Sequence, residues 1–318
     1  MNISEFAIKV KIELQSVLGN EYKIDISENH KMNGVKKWAV TIHKNSNIAP
    51  TIYLDMFFKS YCNGEEFETI INSIINMYRE SAPSEDIDMS SFMNFELVKD
   101  RICFKLCNTN KNSDILDKLP SVPFYDLSII FYVLVNNELF GSGQILIRNE
   151  HMKMWGVNVS DIMTCARKNT PKLLGFKLSN IIDVMKSILE RNNSISEDEV
   201  PEFSHLEECE CFMWVLSNEE GFNGAASILY PNVCDDIFEV VGKNYFIIPS
   251  SIHELIVVPD NEGTEGDELW NNKCNQLRDM IHQVNESEVP EAEILSENLY
   301  YYNAFDKVFK LVETYESA

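Results

Sequence analysis

Four groups of side chains have types and spacings that could support chemistry. The first is PSSIHE, where Ser250, Ser251 and His253 stand together between two apolar runs, so that a nucleophile and a base could meet there. A serine hydrolase on an α/β scaffold would carry its nucleophile in a G-x-S-x-G elbow between strand and helix, and no such elbow surrounds these serines. The bland reading is structural. Serine and proline are ordinary turn residues, and in IHELIVV His253 alternates with Leu255 and Val257 as in a strand covered on both faces.

The second group is His205, Cys209 and Cys211, with Cys234 further on. Zinc knuckles use C-x2-4-C, whereas Cys209 and Cys211 would stand about 6.6 Å apart in extended backbone. Buried thiols acting as small hydrophobes fit better. The third is a pair of glycine turns. FGSGQ leads into a strand, and EGFNGAA, with Gly221 and Gly224, precedes a helix but has no Lys-Ser/Thr and lies among acids that would repel phosphate. The fourth is PDNEGTEGDE, with Asp260, Glu262, Glu265, Asp267 and Glu268. It lacks the EF-hand spacing and reads as a solvated loop with acids near a helix N-terminus. No metal and no cofactor is expected.

The elements that must position these groups alternate between helix and strand. Residues 3–18 repeat apolar side chains at helical spacing, with Asn2 or Ser4 as cap. EYKIDISE and KKWAVTIHK form a strand pair around the turn HKMNG, and EEFETIINSIINMYRE is a helix. RICFKLC is a strand, FYDLSIIFYVLV and QILIRN a hairpin, and NVSDIMTCARKN a helix capped by Ser160 and ended before Pro171. CFMWVLSN is a strand, YFIIPSSIHELIVVP gives two strands flanking a tight turn, and a helix covers about 267–284. The expected class is α+β, a mixed α/β fold with antiparallel hairpins covered by helices, in two sub-domains, 1–120 and 121–318, joined near Pro120 to Pro123. The runner-up boundary is near Asn193.

Charge narrows the function classes. The 318 residues carry 27 Lys+Arg and 50 Asp+Glu, a net −23, which argues against direct binding to nucleic acid or anionic membranes. The excess is local: residues 191–318 hold a net −21 and residues 1–190 a net −2. Glu207, Glu208, Glu210, Glu262, Glu265, Asp267 and Glu268 are therefore the candidate binding residues for a protein partner of basic character. The first residues show neither an uncharged apolar core nor a small-residue cleavage site, and no apolar run reaches the roughly 18 residues of a membrane span, so a cytoplasmic location is expected. Cys103 and Cys107, about 13 Å apart in a strand, cannot bridge, and all eight cysteines are expected free.

PTIYLDMFFKSYCNGEEFETII, FKLCNTNKN, PFYDLSIIFYVLV, the WGV of Trp155 to Val157, FNGAASILYPNV and IIPSSIHELIVVPD resemble an uncharacterised clostridial or Firmicutes family of unknown function. The segments after Phe124 are also similar to a second uncharacterised family of bacterial cytoplasmic proteins. The resemblance implies an α+β protein and brings no reaction or catalytic residue. The expected function is that of a non-enzymatic acidic interaction or regulatory protein. The alternatives are a mobile-element inhibitor that imitates nucleic-acid charge, and a hydrolase using Ser250 or Ser251 with His253.

Overall fold

The computed structural model describes residues 1–44, 49–82, 90–137, 141–191, 213–261 and 265–313. His205, Glu207, Glu208, Cys209, Glu210, Cys211 and Glu262 lie outside the described residues, and with them most of the zinc candidate and part of the acidic one. The described residues form an α+β fold with three antiparallel sheets. They group into two compact units, residues 1–97 with 134–145, and residues 98–133 with 146–318.

The first unit sets helices against a three-stranded sheet, β1 (Lys23–His30), β2 (Lys36–His43) and β3 (Thr51–Tyr53), in the order β1-β2-β3. Asn33 and Gly34, at φ 59° and 71°, supply the left-handed backbone of the β1–β2 turn. Helix α1 (Ile3–Leu18) starts at Asn2, whose side chain accepts from the Glu5 N–H at 2.9 Å while Glu5 accepts from the Asn2 N–H at 3.1 Å. Helices α2 (Asp55–Cys62) and α3 (Phe67–Ser81) complete the layer. Phe6, Val10 and Leu14 of α1 join Ile70, Ile71 and Ile74 of α3 and Ile24, Val40 and Ile42 of the sheet in one core, because each helix keeps its apolar residues three or four apart.

The second unit contains β4 (Ile102–Asn108), β5 (Ser121–Phe124) and most of β6 (Leu127–Asn137), the last paired with β7 (Gly141–Leu146). β4 and β6 pair from Ile102↔Val133 to Asn108↔Leu127, and β5, which holds Pro123, pairs with β6 from Ser121↔Ile130 to Phe124↔Leu127. Helix α4 (Asn149–Trp155) precedes α5 (Val159–Leu174). Two local expectations for α5 are corrected. Its cap is Asn158 rather than Ser160, since Asn158 Oδ1 accepts from the Ser160 and Asp161 N–H groups. Pro171 lies inside the helix, whose end is tied to β4: Asn169 donates to the Lys99 and Ile102 carbonyls and Thr170 Oγ1 accepts from the Phe104 N–H. These tertiary bonds carry the helix past the one amide a proline lacks.

The remaining sheet has six antiparallel strands in the order β13-β12-β10-β11-β9-β8. They are β8 (Lys177–Asn180), β9 (Trp214–Ser217), β10 (Tyr245–Ile248), β11 (Leu255–Pro259), β12 (Tyr300–Asn303) and β13 (Val308–Leu311). Helix α6 (Ile181–Arg191) follows β8, and α7 (Val233–Val241) precedes β10. The longest helix, α8 (Glu268–Ser287), buries Trp270, Cys274, Leu277 and Ile281 on one face of the sheet against Phe246, Ile248 and Val258. That stripe follows 4, 3, 4 spacing, the signature of a helix facing a flat apolar layer.

Candidate functional site

Where α8 ends, the core it covers stays open. A cavity of about 450 Å³ lies there, floored by Ile248 and Ile256, which face each other across the β10–β11 pair, and walled by Met280 and Val284 of α8. Ser250, Ser251 and His253 also line it, as do Glu254, Glu288 and Glu293; among the described residues no lysine or arginine does. The first of the four sequence groups therefore lines a pocket. His253 itself lies in the turn, because β11 begins only at Leu255, which corrects its reading as a strand residue.

The turn is held by its backbone. The Ile252 N–H donates to the Glu293 carbonyl at 3.0 Å, the Leu295 N–H to the Ser250 carbonyl at 3.1 Å, and the Ser296 N–H to the Pro249 carbonyl at 2.9 Å. On its other side the Ala225 N–H donates to the Ile252 carbonyl at 3.2 Å and Ser217 Oγ to the His253 carbonyl at 2.9 Å. Gly224 permits that approach: a Cβ on it would stand 2.0 Å from Ser217 Oγ and 2.4 Å from the His253 carbonyl oxygen. The glycine turn EGFNGAA thus serves packing and opens a 3-10 helix of six residues, Gly224–Leu229.

Both imidazole nitrogens of His253 are engaged. Nδ1 accepts from the Asn223 N–H at 3.3 Å, and Nε2 stands 3.6 Å from a Glu293 carboxylate oxygen. A nitrogen that accepts carries no proton, so the neutral ring holds its proton on Nε2, facing Glu293. Ser251 Oγ accepts from the His253 backbone N–H at 3.0 Å rather than meeting the ring. Ser250 is 6% exposed, and its hydroxyl oxygen is buried with no hydrogen-bond partner among the described residues. A serine nucleophile needs a base whose lone pair reaches its hydroxyl, and here that lone pair is spent on a backbone amide.

The acidic loop sits elsewhere. Asp267 caps α8, accepting from the Trp270 N–H at 2.8 Å, and Glu268 lies in the first turn of that helix. Glu265 pairs with Lys310, and Asp260 accepts from the Tyr301 hydroxyl at 2.7 Å. Met280, the first α8 residue to line the pocket, stands 13 residues after Asp267, about 20 Å along the helix axis at about 1.5 Å per residue. Among the described residues no group of three or more His, Cys, Asp or Glu could hold a metal ion.

Sequence reasoning missed Glu254, Glu288 and Glu293 and the apolar walls. One signal was present: Met280 and Val284 continue the apolar side of α8 toward its end, and Glu288 follows at the same four-residue step.

The three β12 tyrosines and three of the described cysteines, Cys103, Cys107 and Cys274, are packed into the fold. Tyr300, Tyr301 and Tyr302 of β12 donate to Asp126, Asp260 and Asp235 respectively, and burial raises the pKa of each hydroxyl. Six described cysteines are free, and desolvation pushes the Cys103 and Cys274 thiols up to about 11 and Cys107 to about 12.

Fold and geometry together define an α+β protein with a carboxylate-rimmed apolar pocket at the end of an antiparallel sheet. Residues 3–304 match a family of unknown function (DUF5688), and the chain belongs to that family. No curated protein and no solved structure matches the chain. No described helix is long and apolar enough to cross a membrane.

Proposed function

We propose that this chain is a non-enzymatic, acidic cytoplasmic protein that acts by binding a basic protein partner through its second unit. The pocket's composition carries this reading: an apolar floor and walls, three carboxylates, no lysine or arginine among the described residues, and a histidine with both nitrogens engaged. Such a surface attracts cations and gains by burying apolar groups, while the nucleophile, base and orienting group of a catalyst are not assembled in it. Six free thiols among the described residues, three of them buried, support a reducing compartment. The apolar lining weighs against pure imitation of nucleic-acid charge, which needs no pocket.

Capture from host lysate by the parent and by a Glu254→Gln/Glu288→Gln variant, at low and high salt, tests the reading. Both glutamates are exposed, so folding is spared. The expected result is a basic protein held by the parent at low salt, released by high salt and weakly held by the variant. Equal capture by both proteins, or none by the parent, contradicts it.

One observation favours the hydrolase reading: the unpartnered Ser250 hydroxyl shares the pocket with the His253–Glu293 pair. Labelling with a fluorophosphonate followed by peptide mapping decides between them. Modification of Ser250 or Ser251 in the folded protein would establish a reactive serine, and the binding reading expects none.

A further inference from the structure

Resting on the binding reading, we infer that the pocket takes a short peptide segment of the partner, with bulky apolar side chains flanked by lysine or arginine. Three features of unit two define that occupant. The floor and walls made by Ile248, Ile256, Met280 and Val284 present aliphatic and thioether surface, which favours aliphatic or aromatic side chains. Glu254, Glu288 and Glu293 place three carboxylates at one pocket; Glu293 faces the His253 Nε2, and among the described residues no lysine or arginine lines the pocket to neutralise Glu254 and Glu288. A ligand with one cation would leave carboxylates facing its apolar part; a chain with a cation on each side of an apolar pair matches both. The end of α8 adds to the field, since Glu288 is the residue that closes that helix and the carbonyl end of a helix attracts positive charge.

The Ser250 hydroxyl is the second, independent pointer to a ligand. Ser250 lines the cavity, its hydroxyl oxygen is buried and has no hydrogen-bond partner among the described residues, and a buried polar group in that state gains from a hydrogen bond that a small side-chain rotation could make to an occupant. An amide N–H or carbonyl of a peptide can supply it.

Methionine methyl NMR on the full chain tests the inference directly, because Met213 and Met280 line the cavity and report its occupation. The probes are acetyl-Lys-Leu-Leu-Lys-amide, its counterpart with glutamate in place of lysine, its counterpart with serine in place of leucine, and n-hexylammonium chloride. Saturable shifts of the Met213 and Met280 methyl signals by the first peptide alone are expected. Binding should weaken roughly tenfold in the Glu254→Gln/Glu288→Gln variant, the effect of two modest surface charge contacts. It should be lost in Val284→Trp, whose indole fills the cavity. Equal shifts from the glutamate or serine peptide, no saturable shift from any peptide, or tighter binding of hexylammonium would overturn the peptide assignment. The two readings fail separately: a basic protein captured equally by parent and Val284→Trp would leave the acidic binding protein standing and remove the pocket as its peptide site.

Discussion

At the scale of single residues, the decisive one is His253. Its Nδ1 faces a backbone N–H and its Nε2 a carboxylate, so the ring fastens the 249–254 turn to the segment around Glu293. Long-range nitrogen–proton NMR of the imidazole is expected to show the Nε2-protonated form; a proton on Nδ1 would free Nε2 as a base and revive catalysis. Asp235 gives a pH prediction. Hydrogen bonds from Lys307 at 2.8 Å and Tyr302 at 2.6 Å lower its carboxyl pKa, Lys307 having the larger effect. A carboxyl whose folded pKa is depressed contributes stability above its unfolded pKa and loses it as pH falls through the folded value. The parent should therefore exceed Asp235→Asn in Tm at neutral pH, with the gap closing in acid; a gap that persists at the lowest pH would contradict the assignment. Thiol chemistry supplies a third test. Cys62 is exposed, whereas Cys103, Cys107 and Cys274 are buried with raised pKa values, so iodoacetamide should alkylate Cys62 well ahead of the other three in the native protein. Peptide mass mapping reads the order, and equal rates would mean that these cysteines are not packed as described.

At the scale of elements, Gly224 joins the 3-10 helix 224–229 to the turn that carries His253. Gly224→Ala would drive a Cβ into Ser217 Oγ, the His253 carbonyl and the Asn218 amide, the last at 2.8 Å. Two of those neighbours are backbone, which yields little, so the substitution should cost about 1–3 kcal/mol and lower Tm. Unchanged melting would show that the turn can shift freely. Much at this scale was legible in the sequence. The β1–β2 and β10–β11 pairs, α1, α3 and α8 all follow from apolar periodicity and turn residues, since each is specified by neighbours close in the chain. The ends of α5 were not: Ser160 and Pro171 obeyed local statistics, while Asn158 and the Asn169 and Thr170 bonds to the region of β4 set the actual limits. The candidate site was half legible for the same reason. Ser250, Ser251 and His253 are neighbours in sequence, but Met280, Glu288 and Glu293 reach them only after α8 has crossed the sheet.

At the scale of the whole molecule, nearly all the excess charge belongs to residues 191–318, and the pocket lies within that stretch apart from Ile181. The acids named in the sequence as a single surface play different parts: Asp267 caps a helix, Glu265 pairs with Lys310, and the pocket has its own three glutamates. Neutralising Asp267 would therefore disturb α8 as well as the surface, whereas Glu254 and Glu288 can be changed alone. The most direct measurement is a competition: the complex captured from lysate at low salt is challenged with free acetyl-Lys-Leu-Leu-Lys-amide, and the released protein is quantified. Release that rises with peptide concentration and does not occur with the glutamate counterpart is the expected result. A complex that salt dissolves but the peptide leaves intact would place the basic partner on some other acidic surface and contradict binding at the pocket.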